Sequence, residues 1–290
     1  MKRKKSLLIH GVIILMICGF GCTDKHPSSV SSADGVEIHY KNQGKGKPAI
    51  VFVHGWTNNK SLWDGQLSHF SKNYNVTSID LAGHGESGDQ RSEWTMSAYG
   101  EDVVAVIKEL GLNQVVLVGF SMGTSVIVET ANKIPERIAG LVFVDDLKNI
   151  EKKYTPEMIS MLDSVMMDAV ENPTPEQLEG LFYKKNPDSS FHRISEMLKN
   201  GPRISWSPSL REYMRWLNED CISSLEKIQV SVVSINSDHE PINEDALRKH
   251  LSSLKIHVIP DVGHLIFWDA PEEFNSLLEE SIDEFMDEQL

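Results

Sequence analysis

Gln114-Val115-Val116-Leu117-Val118-Gly119-Phe120-Ser121-Met122-Gly123 is the stretch that decides how this chain folds. Gln114 to Val118 is apolar and β-branched and reads as a buried strand, while Thr124 to Lys133 reads as a helix. Gly-x-Ser-x-Gly between them describes a corner so sharp that the residues two away from the serine must lack side chains. Such a corner, a nucleophile elbow, lifts the serine hydroxyl out at the end of a sheet and aims the helix N-terminus at the reacting centre. The five residues alone are common types; the strand before them and the helix after them make the pattern specific.

Outward from the elbow, strands and helices alternate. Val36 to Tyr40 alternates like a strand, and Gln43 to Pro48 reads as a turn. Ala49 to Val53 is a continuous apolar run ending in His54-Gly55-Trp56, and Asn75 to Asp80 is a strand ending in Leu81-Ala82-Gly83-His84-Gly85-Glu86-Ser87. Tyr99, Val103, Val106, Ile107 and Leu110 recur at helical spacing and Gly111 closes that helix. Ile138 to Asp145 is the next strand. The alternation then stops: residues 146–227 carry helical patterns and six prolines without a convincing strand. It resumes with strands at Val230 to Asn236 and Lys255 to Pro260 and a closing helix at Glu272 to Met286. A parallel sheet with helices on its faces follows, its ligands expected at the strand carboxyl ends. Residues 34–145 and 228–290 form the α/β core, and 146–227 form a helical cap inserted after the sixth strand.

Residues 1–22 read as an export signal: Lys2-Arg3-Lys4-Lys5, an apolar run from Leu7 to Gly21 broken by His10 and Gly11, then Cys22. Gly21-Cys22 resembles the cleavage point of a bacterial lipoprotein signal, although Gly19 stands where such signals usually carry leucine. Cleavage there makes Cys22 a lipidated N-terminus, residues 23–33 a tether, and the protein periplasmic or anchored to a bacterial membrane. Removing the four cationic residues leaves 24 Lys+Arg against 42 Asp+Glu, a net charge of −18. That charge repels polyanions and disfavours nucleic acid as a partner. Cys221 is the one cysteine beyond the signal, which leaves neither an intramolecular disulfide nor a zinc cluster to expect.

A serine hydroxyl at neutral pH needs a base, and the base needs an orienting acid. His264, in Asp261-Val262-Gly263-His264, follows the last strand in a loop that reaches the elbow; His10, His192, His239 and His257 read as surface or packing residues. Main-chain N–H groups of Met122 and Trp56 are the expected oxyanion donors.

His54-Gly55-Trp56, Asp80 to Ser87, Gly119 to Gly123 and Asp261 to His264 occur in the order seen in the α/β-hydrolase superfamily, which this chain resembles from about Val36 onward. The resemblance implies the α/β-hydrolase fold, with the helical insertion in the place of that family's cap. The family loop usually reads Asp-x-Pro-Gly-His-Gly-x-Ser; this chain has Ala82 in place of proline, and His84 is read as structural. In the family the acid commonly follows the strand after the cap. Asp238 is therefore put first, with Glu240 and Asp145 as alternatives, the latter following the preceding strand. What the resemblance implies is a serine hydrolase that cleaves a carboxylic ester, with an amide or thioester as alternatives, through an acyl-enzyme; together with the signal it reads as an exported enzyme acting on a small molecule without cofactor or metal. Met158, Met161, Met166 and Met167, with Leu181, Phe182 and Trp206, suggest an apolar lining for an uncharged substrate. Two other readings remain: a small-molecule receptor on a hydrolase scaffold, and a cofactor-free oxygenase or haloperoxidase-like enzyme.

Overall fold

The computed structural model describes residues 29–178 and 187–288; the signal, Cys22, the first part of the tether, Leu181 and Phe182 lie outside the described residues. In chain order the elements are β1 (Ser29–Ser31), β2 (Glu37–Gln43), β3 (Ala49–Val53), α1 (Asp64–Phe70), β4 (Asn75–Ile79), α2 (Met96–Glu109), β5 (Val115–Phe120), α3 (Met122–Lys133) and β6 (Ile138–Val144). Among the described residues, five α-helices follow: α4 (Pro156–Glu171), α5 (Pro175–Leu178), α6 (Pro187–Asn200), α7 (Trp206–Glu219) and α8 (Cys221–Leu225). The core resumes with β7 (Val232–Ser237), α9 (Glu244–His250), β8 (Leu254–Ile259), α10 (Ile266–Asp269) and α11 (Pro271–Asp287).

The eight strands form one sheet in the order β1-β2-β4-β3-β5-β6-β7-β8. β1 with β2 and β2 with β4 are antiparallel, and every pairing from β4 through β3 to β8 is parallel. All residues of β3, β5 and β6 are buried, as continuous apolar strands covered on both faces must be. Their side chains alternate between two cores. Val51, Val53, Val115 and Leu117 pack with Tyr99, Val103 and Val126 of α2 and α3; Ile50, Phe52, Val116 and Val118 pack with Leu67, Phe70, Phe274 and Leu278 of α1 and α11. Gly140 of β6 belongs to the second face, where a Cβ would stand 2.3 Å from the Phe285 ring, so its bare backbone lets α11 close on the sheet.

One expectation of organisation changes. Residues 23–33 have the composition of a tether, yet Ser29–Ser31 joins the sheet edge as β1. Its serines look like linker composition, but Ser29 Oγ donates to Glu37 and Ser32 Oγ donates to the buried Asp102 carboxylate, at 2.7 and 2.6 Å.

Asp102 also explains Ala82. The Ala82 N–H donates to Asp102 Oδ2 at 3.1 Å, and Arg91 holds the same carboxylate through two further bonds. A proline at 82 would have no N–H to give. His84 next to it is buried, with Nδ1 3.0 Å from the Ala82 carbonyl, and burial pushes its imidazole down to about 3. It serves the loop as a buried neutral group.

Candidate active site

The elbow is built by two glycines that touch backbone. A Cβ on Gly119 would meet the Gly123 carbonyl oxygen at 2.5 Å, and one on Gly123 would meet the His54 oxygen at 2.6 Å. Between them Ser121 adopts φ 51° and ψ −128°, a conformation that costs an L-residue about 1–3 kcal/mol. The sheet holds it there, because Ser121 N–H donates to the Val144 carbonyl of β6 at 3.0 Å. Met122 is the first residue of α3, where an N–H has no acceptor within its own helix.

The loop after β3 lies against the same corner. A Cβ on Gly55 would stand 3.1 Å from Ser121 Cβ and from the Phe120 ring, so a larger residue would press on the serine's own side chain. His54 beneath it is buried and accepts the Leu81 N–H at Nε2, which leaves the proton on Nδ1 to donate to the Gly55 carbonyl at 2.7 Å. Burial pushes His54 down to about 4, so it stays neutral. Trp56 follows, half-buried, its indole N–H donating to the Trp206 carbonyl of α7 at 2.7 Å.

His264 arrives from the loop after β8. Asp269 Oδ2 accepts the Gly263 N–H at 2.8 Å, and the imidazole lies 4.6 Å from the Phe120 ring, centre to centre, one residue from Ser121. Its Nδ1 is 2.6 Å from Asp145 Oδ2.

The placing of Asp238 behind His264 is therefore corrected: the carboxylate bonded to Nδ1 is Asp145, the alternative at the end of β6. Asp238 is exposed and its Oδ2 accepts the Asp261 N–H at 3.2 Å; Glu240 is exposed as well. The reason is local. Asp145 leaves β6 with φ 52°, a left-handed turn that carries its side chain across the end of the sheet. β7 ends there in Ser237, whose N–H and Oγ donate to Asp145 Oδ1 at 2.7 and 2.8 Å. The end of β7 thus supplies donors to an acid from β6 in place of an acid of its own. Lys148 Nζ adds an ion pair to the same oxygen at 2.9 Å. Burial works against the charge of Asp145, but the His264 bond and the charges of His264 and Lys148 outweigh it and hold its carboxyl well below the usual range.

Asp146, the next residue, goes the other way. Burial pushes it up to about 6; Oδ1 accepts the Tyr213 hydroxyl of α7 at 2.6 Å, while Oδ2 is shut off from solvent without a partner. Neither Lys148 nor Ser237 stood out in the sequence. The available signal was an acid closing an apolar strand with a lysine three residues on.

Of the suggested cap lining, Met161 is 59% exposed. Met158, Met166 and Met167 are half-buried and Trp206 is fully buried.

Residues 48–271 match the α/β hydrolase fold family. The chain belongs to that family. This α/β hydrolase superposes with a TM-score of 0.76 on a thermophilic esterase from Thermogutta terrifontis, at 21% identity, covering 89% of this chain and 98% of the esterase. A solved N-acyl homoserine lactone degrading enzyme gives a TM-score of 0.75 at 24% identity, covering 87% of this chain and 99% of that one. In sequence, a non-heme haloperoxidase of Rhodococcus erythropolis is 40% identical over 114 residues, which are 39% of this chain and 40% of that protein. The named relatives include esterases and non-heme haloperoxidases.

Proposed function

We propose that this α/β hydrolase is an exported serine hydrolase that cleaves carboxylic esters through an acyl-enzyme. The observation that carries the reading is the 2.6 Å bond from His264 Nδ1 to Asp145, beside a serine held at φ 51°. With Nδ1 bonded to the acid, Nε2 is the nitrogen that takes the Ser121 proton as Oγ attacks the ester carbonyl. The N–H groups of Met122 and Trp56 receive the oxyanion. His264 returns the proton to the leaving alcohol, and a water activated by the same imidazole then releases the acid. The N-terminal signal and Cys22 support export with a lipid anchor, and the mass of the mature N-terminus tests that separately.

A fluorophosphonate probe is expected to label the protein at one site and to fail on Ser121→Ala; labelling that persists in that variant overturns the assignment. A panel of p-nitrophenyl esters is expected to show turnover that uncharged short and medium acyl chains favour over anionic ones.

The R. erythropolis relative supports a second activity of the same serine. Hydrogen peroxide attacking the acyl-enzyme in place of water would release a peracid and free Ser121, and the peracid would oxidise halide while returning to the carboxylic acid. Halogenation of a phenolic dye that requires acetate, peroxide, bromide and Ser121 together tests it.

A further inference from the structure

Lys148 stands at the entrance to the cap with its side chain 9% exposed. Its Nζ lies 2.9 Å from Asp145 Oδ1, 3.1 Å from Ser237 Oγ and 3.4 Å from the Ser237 carbonyl. Its own carbonyl accepts the Asn243 N–H at 2.6 Å, which fixes the backbone from which the side chain reaches back. A buried ammonium is costly unless a partner uses its charge. Here the partner is the acid behind His264, whose Oδ1 already accepts two bonds from Ser237. A third, charged donor is more than a merely satisfied carboxylate requires.

Two consequences follow from the geometry. Three donors on Oδ1 pin the carboxylate plane, so Oδ2 is left to one partner, His264 Nδ1. The ammonium also balances the carboxylate charge, and an unbalanced carboxylate would favour the protonated imidazole. The other groups bearing on His264 do not replace it. Asp146 follows Asp145 in the chain and its charge acts on His264, but burial keeps its proton on up to about pH 6. Asp238 and Asp269 accept the N–H groups of Asp261 and Gly263 and so shape the loop, and Phe120 offers an uncharged ring.

We propose that Lys148 is a positioning residue for the acid–base pair: clamped on Asp145, it aims the carboxylate at His264 and offsets the negative charge that faces the imidazole. This rests on the reading of Ser121, His264 and Asp145 as the catalytic residues.

The test compares Lys148→Met and Lys148→Gln, which remove the charge, with Lys148→Arg, which keeps it. Two readouts are used: the pH profile of kcat/KM on a p-nitrophenyl ester, and the titration of the His264 imidazole by NMR in a Ser121→Ala background. Loss of the charge is expected to move the acid limb and the imidazole titration upward together by about one pH unit. Arginine is expected to bring both back. If Lys148→Met does not fold, glutamine, whose amide still donates to Asp145, and arginine give the same comparison of charge. An acid limb and an imidazole titration that stay where they are in a folded, uncharged variant overturn the proposal. Failure of the underlying reading shows differently, as turnover that survives Ser121→Ala or His264→Ala, and the NMR titration reports on Lys148 whatever the turnover.

Discussion

Asp145→Asn tests which carboxylate stands behind His264. The wild-type group makes one bond from Oδ2 to His264 at 2.6 Å and accepts three donors at Oδ1. Asparagine has one oxygen to share between these two sets. With that oxygen toward Ser237 and Lys148, the amide NH2 faces Nδ1, which must then accept, and the imidazole proton moves to Nε2. That is the nitrogen required to take the serine proton. Loss of the tautomer and of the charge opposite the imidazolium is expected to lower kcat about 10³–10⁴-fold, roughly 4–5 kcal/mol of barrier. Folding suffers too, because Lys148 is left buried without its counter-charge, an effect of about 3 kcal/mol. Since the folded carboxyl lies below its ordinary 3.8, its contribution stands in full above pH 4 and is lost as acid protonates it. The stability gap between wild type and variant should therefore persist at pH 7 and narrow below pH 4. The assay is kcat/KM with a p-nitrophenyl ester alongside urea unfolding, with Asp238→Asn as the companion variant. Asp238→Asn is expected to stay within about twofold of wild type, since its carboxylate is exposed. An Asp145→Asn enzyme that keeps a third or more of the activity, next to an Asp238→Asn enzyme that loses a hundredfold, would refute the assignment.

Three further outcomes test other parts of the structure. Arg91→Met leaves Asp102 buried against Ala82 N–H and Ser32 without a cation; a loss of about 3–5 kcal/mol in urea unfolding is expected, and a loss under 1 would show that Asp102 tolerates isolation. Gly123→Ala drives a Cβ onto the Val53 and His54 carbonyl oxygens, neither of which can rotate away; a loss of at least 1–3 kcal/mol is expected, together with weaker fluorophosphonate labelling. Asp146→Asn reports on a group raised to about 6 in the folded chain. Because the unfolded carboxyl ionises near 3.8 while the folded one keeps its proton, wild-type stability falls between pH 4 and 6. The variant should lack that fall and gain about 2–3 kcal/mol relative to wild type across the interval, as measured by urea unfolding at each pH.

The parallel core was legible because β3, β5 and β6 are apolar runs bounded by turn residues, and a strand covered on both faces needs little else. The elbow was legible because its glycines answer a steric demand that few other sequences meet. Ser29–Ser31 was not, since an edge strand can be polar and its pairing is decided by β2 rather than by its own residues. The acid was legible only as a set of three. Asp145, Asp238 and Glu240 all follow strands, and what separates them is a left-handed φ at Asp145 and two donors from Ser237, neither of which is written in residue type. Lys148 was hidden for a related reason: a lysine in a cap reads as solvated until the fold turns it inward.

The bond from the Trp56 indole to the Trp206 carbonyl joins the loop after β3, proposed above to supply an oxyanion donor, to the first residue of α7. Ser205 Oγ adds a second stitch to the Gly83 carbonyl at 2.6 Å, where a Cβ on Gly83 would collide with Ser205 itself. The cap is thereby not an interchangeable part. A cap grafted from a relative to change which molecules enter would also have to supply a carbonyl for Trp56 and a hydroxyl for Gly83. Without them, the exchange of selectivity would come with a slower chemical step, and selectivity and rate in this chain would have to be engineered together.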